Sequence, residues 1–312
     1  MILGFLRLLE GIRNPVFDFF FSAITYLGDE TAFMAIAIAI FWCVSKKDGY
    51  YILSVGFIGT VINQFLKLAF RIERPWVKDP NFTIVESARE AATGYSFPSG
   101  HTQSSVGTFG AIAYTYKTRW LRICAIALCV LVPFSRMYLG VHTPLDVLVS
   151  VGIALLLIFA LKPIFAIIDK RPYGMYIFIG SMIALSLGLL LFVTLFPFPE
   201  SVDASNYESG LKNACTLLGA TVGMIIAYPI EKRYVRFEVE GKWYSQLIKT
   251  ALGLGLVLGI KAGLKVVLSL FLPPMVARVI RYAIIVLFAV CVWPLTFKFI
   301  RKLENVKKNC CK

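Results

Sequence analysis

His101 and His142 are the two histidines of the chain, and the residues around each suit the handling of an anion. His142 stands in SRMYLGVHTPLD, residues 135–146, four places before Asp146. Thr143 can cap a helix whose first turn begins with Pro144, where a missing N–H does no harm. His142 and Asp146 then lie close to one helical face. A carboxylate so placed accepts the proton of one imidazole nitrogen and leaves the other with its lone pair outward, an oriented nucleophile. The competing reading is a capping arrangement, Thr143 with Asp146 three residues on, which His142 merely precedes.

His101 belongs to FPSGHT, residues 97–102. There Pro98, Ser99 and Gly100 bring the chain to the start of a helix whose unpaired first amides make an anion site, approached closely over the glycine. An ordinary helix start, with Ser99 as N-cap and His101 in the first turn, is the alternative. Lys67 and Arg74 lie in KLAFRIERP and taken alone read as cations snorkelling from a span end. Arg136 adds a third cation. Together these groups are what attack on a phosphoryl group requires. Lys67, Arg74, Arg136 and the amides near Ser99 and Gly100 would stabilise the charge on the equatorial oxygens. His142 would attack phosphorus; His101 would protonate the departing alkoxide and later deprotonate the water that releases the product.

The elements that must position these groups are membrane spans. The chain is 58% hydrophobic and 16% charged, far from the balance of a soluble domain. Apolar runs long enough to cross a hydrocarbon core fall near 30–45, 49–70, 101–117, 120–138, 143–161, 174–196, 211–230, 246–271 and 276–297. The expected fold class is therefore all-α, a polytopic membrane helix bundle of about nine spans, the first of them short. The net charge of +14 resides largely between alternate spans, at Lys46 and Lys47, Lys117 to Arg122, Lys162 to Arg171, Lys232 to Lys242 and Lys298 to Lys312. By the positive-inside rule that side is cytoplasmic, and both histidines face away from it. Nucleic acid is not an expected partner, because the cations form no stripe with interleaved aromatics.

Residues 1–13 lack the charged start, short apolar core and cleavage site of a signal peptide. Arg7, Glu10 and Asn14 share a face, which predicts an interfacial amphipathic helix running towards Leu27. Nine spans with a cytoplasmic C-terminus leave the N-terminus outside, and a re-entrant first segment would reverse that. The expected divisions are 1–29, an interfacial helix region; 30–165, a catalytic core; and 166–312, further spans with a basic cytoplasmic tail. Seven cysteines show no metal-ligand spacing. Cys310 and Cys311 suit palmitoylation or an unmodified tail. Two histidines and no tight carboxylate cluster give no ligand set, so no metal or cofactor is expected.

Lys67, six residues, Arg74 and Pro75; then Pro98 to His101; then Ser135, Arg136, five residues, His142, three residues and Asp146 resemble the three-part signature of the type-2 phosphatidic acid phosphatase superfamily, which includes vanadium haloperoxidases. The likeness covers about residues 15–162. It implies an all-helical catalytic bundle and a metal-free phosphohistidine mechanism with these residues in the roles above. The layout of later spans is similar to sphingosine-1-phosphate phosphatases and glucose-6-phosphatase. The resulting expectation is an integral membrane phosphatase, in the plasma (inner) membrane if bacterial, cleaving a lipid phosphomonoester or diphosphate on the extracytoplasmic side. A lipid is favoured because the motifs lie where span ends meet the interface. Phosphotransfer to a second lipid, hydrolysis of a soluble sugar phosphate and lipid transport are the alternatives.

Three features remain. The loop 76–97 mixes charge with Trp76, Phe82, Tyr95 and Phe97 and reads as a head-group contact or a packed cap. Lys261, Lys265, Arg278 and Arg281 oppose the charge rule, as a collar for anionic lipid or as snorkelling anchors. Ala251, Gly255, Gly259 and Gly263 make a small-residue stripe that permits close helix contact, expected within the chain rather than between protomers of a homo-oligomer.

Overall fold

The computed structural model describes residues 2–200 and 202–301, and Cys310 and Cys311 lie outside these. The described residues are about 80% helical and include no strands. The helices are α1 (Ile2–Gly11), α2 (Pro15–Thr25), α3 (Glu30–Cys43), α4 (Lys46–Phe70), α5 (Pro75–Lys78), α6 (Gly100–Thr115), α7 (Arg119–Tyr138), α8 (Pro144–Ile168), α9 (Gly174–Leu195), α10 (Ala204–Ile230), α11 (Trp243–Ser269) and α12 (Pro274–Leu287).

Among the described residues, seven helical segments are long and apolar enough to cross a membrane, or up to eight if the bent pair of α2 and α3 counts as one span. The expected spans at 30–45 and 101–117 do not meet that standard. Helix α3 has 14 residues and α6 has 16, so at 1.5 Å per residue they rise only about 21 and 24 Å against a hydrocarbon core of roughly 30 Å. The predicted N-terminal helix is also interrupted. Asn14 precedes Pro15, and its side-chain oxygen accepts hydrogen bonds from the amides of Val16 (3.1 Å) and Phe17 (3.0 Å). That N-cap starts a second helix where the sequence suggests one continuous element.

The chain divides into two compact units. One takes its residues from Met1–Met34, Tyr51–Ala166 and Leu191–Leu211. Its centre is α6, buried along most of its length, and small residues bring neighbours close to it. At Gly110 of α6 itself an added Cβ would come within 2.7 Å of Ile158 in α8, and at Gly59 in α4 within 2.4 Å of Gln103. Helix α2 lies on α7, where the tilted rings of Phe21 and Tyr138 meet at 4.5 Å between centroids and the Tyr138 hydroxyl donates to Asp18 at 2.8 Å. The 191–211 segment joins this unit through Phe192 against Phe65 and Gly210 against Leu68.

The other unit draws on Ala35–Tyr50, Ile167–Leu190 and Lys212–Lys312. Gly219 and Gly223 of α10 admit the backbone of α12 so closely that a Cβ there would stand 2.3 Å from the Val279 carbonyl oxygen and 2.7 Å from that of Ala283. Helix α11 packs through Ser245, Lys249, Gly253 and Val257. The predicted stripe is offset from this face by two residues, about 200° around the helix. A Cβ at Gly255, Gly259 or Gly263 meets nothing within 4 Å, so the expected contact within the chain does not form there. Of the four proposed collar cations, Arg281 is buried and Arg278 donates to Thr216 at 3.3 Å, both turned into the unit.

Candidate active site

His142 occupies the turn between α7 and α8. The turn is closed by the Arg136 carbonyl, which accepts from the amides of Val141 (3.1 Å) and His142 (3.3 Å). Gly140 has a positive φ of 81°, a conformation that L side chains rarely adopt. Pro144 then opens α8 and brings Asp146 back beneath the imidazole, whose Nδ1 stands 3.4 Å from Asp146 Oδ2. The same oxygen accepts from the Thr143 amide at 2.8 Å and from the Ser96 hydroxyl at 2.6 Å, while the Asp146 amide donates to Thr143 Oγ1 at 3.3 Å. The capping arrangement and the histidine partnership therefore coexist on one carboxylate.

On the other side of the ring, Nε2 is 3.0 Å from Arg74 Nη1. A guanidinium can only donate. Nε2 is therefore the accepting nitrogen, and the ring proton is on Nδ1, towards Asp146. Burial, reinforced by the charge of Arg74, holds the imidazole well below the usual histidine range, against the opposing pull of Asp146. The ring is thus neutral, with the Nε2 lone pair directed at cations.

Lys67 and Arg74 are buried inside the unit, not extended towards solvent. Arg71 ends α4 in the left-handed region, φ 52°, which turns the chain back over the site. The Lys67 ammonium donates to the Tyr95 carbonyl. Arg74 gathers the remaining strands of the site: Nε donates to Gly94 O (3.1 Å), Nη2 to Thr93 O (2.8 Å) and Nη1 to Val141 O (3.0 Å). Arg136 is wholly buried; Nη1 donates to Thr25 Oγ1 at 2.8 Å, while Nε and Nη2 have no hydrogen-bond partner among the described residues.

Ser99 caps α6, its hydroxyl accepting from the Thr102 amide at 3.4 Å, and its own amide donates to the Asp146 carbonyl at 3.2 Å. The amides of Gly100 and His101 are left as first-turn donors without intrahelical acceptors. His101 lies within electrostatic reach of Arg136, His142, Arg74 and Lys67. All eight residues expected at the site thus surround one locus. Among the described residues, no group of three His, Cys, Asp or Glu is gathered as metal ligands.

Two contributors have no counterpart in the sequence reading. Ser96 holds Asp146, and Thr25 holds Arg136. The loop 76–97 forms a packed cap. Phe82 is buried with Leu6 and Leu9 of α1, Ala88 with Tyr138, Leu139 and Val141, and the Val85 amide donates to Leu139 O at 3.1 Å.

Residues 49–169 match the model of the PAP2 superfamily, and residues 215–305 match the PAP2 superfamily phosphatase transmembrane extension. The chain is 30% identical over 165 residues to a probable sphingosine-1-phosphate phosphatase of Dictyostelium discoideum, an alignment covering 49% of this chain and 39% of that protein. It is 32% identical over 147 residues to the undecaprenyl-diphosphatase BcrC of Bacillus subtilis, covering 46% of this chain and 73% of that one. It thus spans well under half the length of the first relative and most of the second. A crystal structure of a transmembrane PAP2-type phosphatidylglycerolphosphate phosphatase from Bacillus subtilis is similar at 27% identity and a TM-score of 0.42, over 51% of this chain and 82% of that one. Two family matches in chain order and a relative aligned over nearly three quarters of its length make this chain an integral membrane protein of the PAP2 superfamily.

Proposed function

We propose that the chain hydrolyses a lipid phosphomonoester or diphosphate through a phosphohistidine intermediate, without a metal, on the extracytoplasmic side of its membrane. The observation that carries this reading is the orientation of His142, with Nδ1 directed at Asp146 and the Nε2 lone pair facing Arg74. When a phosphate enters, Arg74 and Arg136 donate to its oxygens, with the Gly100 and His101 amides completing the set. Nε2 of the neutral His142 bonds to phosphorus as the P–O bond to the leaving oxygen, that of the alcohol in a monoester or of the remaining phosphate in a diphosphate, breaks. The leaving oxygen takes its proton from the His101 imidazolium, a form that burial and the charges of Arg136, Arg74 and Lys67 disfavour and that the bound phosphate dianion favours. A water then attacks phosphorus and loses a proton to His101, the N–P bond breaks, and both histidines return to their starting states. Asp146 stays ionised throughout and stabilises the positive imidazole formed in the attack.

The names of the relatives, a sphingosine-1-phosphate phosphatase and an undecaprenyl-diphosphatase, support a lipid as the phosphate carrier. The excess of cations in alternate loops supports the side. The test is phosphate release by the purified protein over a panel of lipid monophosphates and diphosphates in chelator, with His142→Ala alongside. Release from a lipid in chelator, lost by at least about 10³-fold in the variant, is expected. Activity that vanishes in chelator and returns with Mg²⁺ would contradict the metal-free mechanism. Label passing to a second lipid instead of to free phosphate would replace hydrolysis by phosphotransfer.

A further inference from the structure

We propose that Thr25, in the N-terminal helix pair and outside the residues matched by either family model, is a positioning residue for the site, orienting Arg136 to meet the phosphate. This deepens the proposed function and rests on it. Arg136 lies in the last turn of α7 with its side chain wholly buried. Among the described residues, Nη1 alone of the guanidinium nitrogens has a hydrogen-bond partner, the Thr25 hydroxyl 2.8 Å away. Thr25 is itself 4% exposed and closes α2. A guanidinium tethered at one corner keeps its plane fixed, and Nε and Nη2, which have no hydrogen-bond acceptor among the described residues, then form the donating edge. Buried charged donors without an acceptor are costly unless a ligand supplies one, and an anion with paired oxygens matches that edge.

The same segment reaches the second histidine. At Gly28, three residues after Thr25, a Cβ would stand 2.9 Å from the His101 carbonyl oxygen, 3.2 Å from its Cβ and 2.6 Å from Val132. The turn 26–28 is therefore seated directly against the start of α6. Two of the proposed catalytic groups, Arg136 and His101, rest on residues 25–28.

The experiment compares Thr25→Val, which keeps the shape and removes the hydroxyl, with Thr25→Ser, which keeps the hydroxyl. The full-length protein is assayed with a lipid phosphate for kcat and KM, and with orthovanadate, a pentacoordinate phosphoryl mimic, for inhibition and thermal stabilisation. Thr25→Val is expected to lower kcat by about tenfold or more, with KM changed less than about threefold, and to weaken vanadate inhibition in parallel. Thr25→Ser is expected to recover most of the loss. In Arg136→Lys, adding Thr25→Val is expected to cost less than about threefold more, because the two residues act as one unit.

Turnover and vanadate inhibition within about twofold of wild type in Thr25→Val would overturn the proposal, as would losses that multiply with Arg136→Lys. Thr25→Ala replaces the valine variant if that does not fold; if neither folds, Thr25 is a structural residue and the proposal falls. The two readings fail differently. If the wild type releases no phosphate from any lipid, the proposed function fails, while vanadate stabilisation of wild type over Thr25→Val still reports the Arg136 contact. If the wild type neither turns over nor is stabilised by vanadate, both are overturned.

Discussion

At the scale of single residues the site is a chain of orientation, in which each group fixes the next. The Ser96 hydroxyl donates to Asp146 Oδ2, that oxygen faces His142 Nδ1, and the opposite nitrogen faces Arg74. Removing the first link should therefore be felt at His142, the proposed nucleophile. Ser96→Ala deletes a buried hydrogen bond to an ionised carboxylate, a class that contributes about 1.5–3 kcal/mol. Loss of roughly tenfold to a hundredfold in kcat/KM is the expected result, and steady-state kinetics on a lipid phosphate measures it. Loss of thermal stability with unchanged kcat/KM would show that Ser96 serves the fold alone. The signature residues were legible in the sequence because each cluster is local: His142 and Asp146 are four positions apart, and Ser99 and His101 share one helix start. Ser96 and Thr25 were not legible as partners. Their contacts join positions 50 and 111 residues apart, and a serine or threonine in an apolar chain carries no local mark of such a role.

At the scale of elements, α1 and the loop 76–97 form a clasp. Arg7 donates to Asp79 Oδ2 at 2.7 Å and to the Asn81 carbonyl at 3.0 Å, and Arg13 to the carbonyls of Thr83 (2.8 Å) and Tyr138 (3.0 Å). Glu10 accepts from the Thr83 amide at 2.9 Å and from its hydroxyl. The polar face that the sequence reading attached to an interfacial helix is thus occupied by the cap, and the exposed residues Phe5, Leu8 and Ile12 carry the apolar side. Burial opposes the charge on Glu10, but hydrogen bonds from Thr83 and Arg7 outweigh it and hold the carboxyl below its usual range. A folded-state pKa lowered in this way stabilises the clasp above the ordinary carboxylate value, and the contribution disappears as the pH falls through the depressed one. Hydrogen exchange at the amides of 81–84 should therefore quicken below roughly pH 4. Glu10→Gln should show the faster exchange already at neutral pH, by about 1 kcal/mol or less because the pair is partly exposed. Equal protection in both proteins at neutral pH would remove Glu10 from the clasp. Gly28→Ala tests the adjoining element. A methyl group 2.6 Å from Val132 and 2.9 Å from the His101 carbonyl cannot be accommodated without movement, and such overpacking costs about 1–3 kcal/mol. The movement falls at the start of α6, so kcat should drop along with stability; a fall in Tm alone would place the strain elsewhere.

For the whole molecule, composition told the solvent but not the count of spans. A chain that is 58% hydrophobic has to bury its backbone polar groups in helices; α4, α7, α9 and α11 follow the apolar runs closely, while α8 runs on past its expected end and α10 starts before its expected beginning. The discrepancy arises at α3 and α6, because hydropathy registers burial in protein and burial in lipid alike. Helix α6 reads as apolar, yet Gln103, Ser105 and Thr108 are buried on it among protein neighbours. The small residues show the same ambiguity. Four-residue spacing marks both the α10 glycines, which admit α12, and the α11 glycines, which face no side chain of their own unit. Only the packed arrangement says which pair is used. The used pair provides a test of how far the second unit matters to the chemistry. Gly219→Ala inserts a methyl 2.3 Å from the Val279 carbonyl oxygen and 2.9 Å from its Cα, against backbone that cannot yield as a flexible side chain would. A loss of about 1–3 kcal/mol is expected, seen as a lower Tm in detergent. The hydrogen bonds described for the site all lie in the other unit, so kcat/KM of the folded protein should remain within about twofold of wild type well below that Tm. A larger fall in kcat/KM at a temperature where the variant is fully folded would show that the transmembrane extension acts on the reaction itself, and that its helices do more than secure the fold.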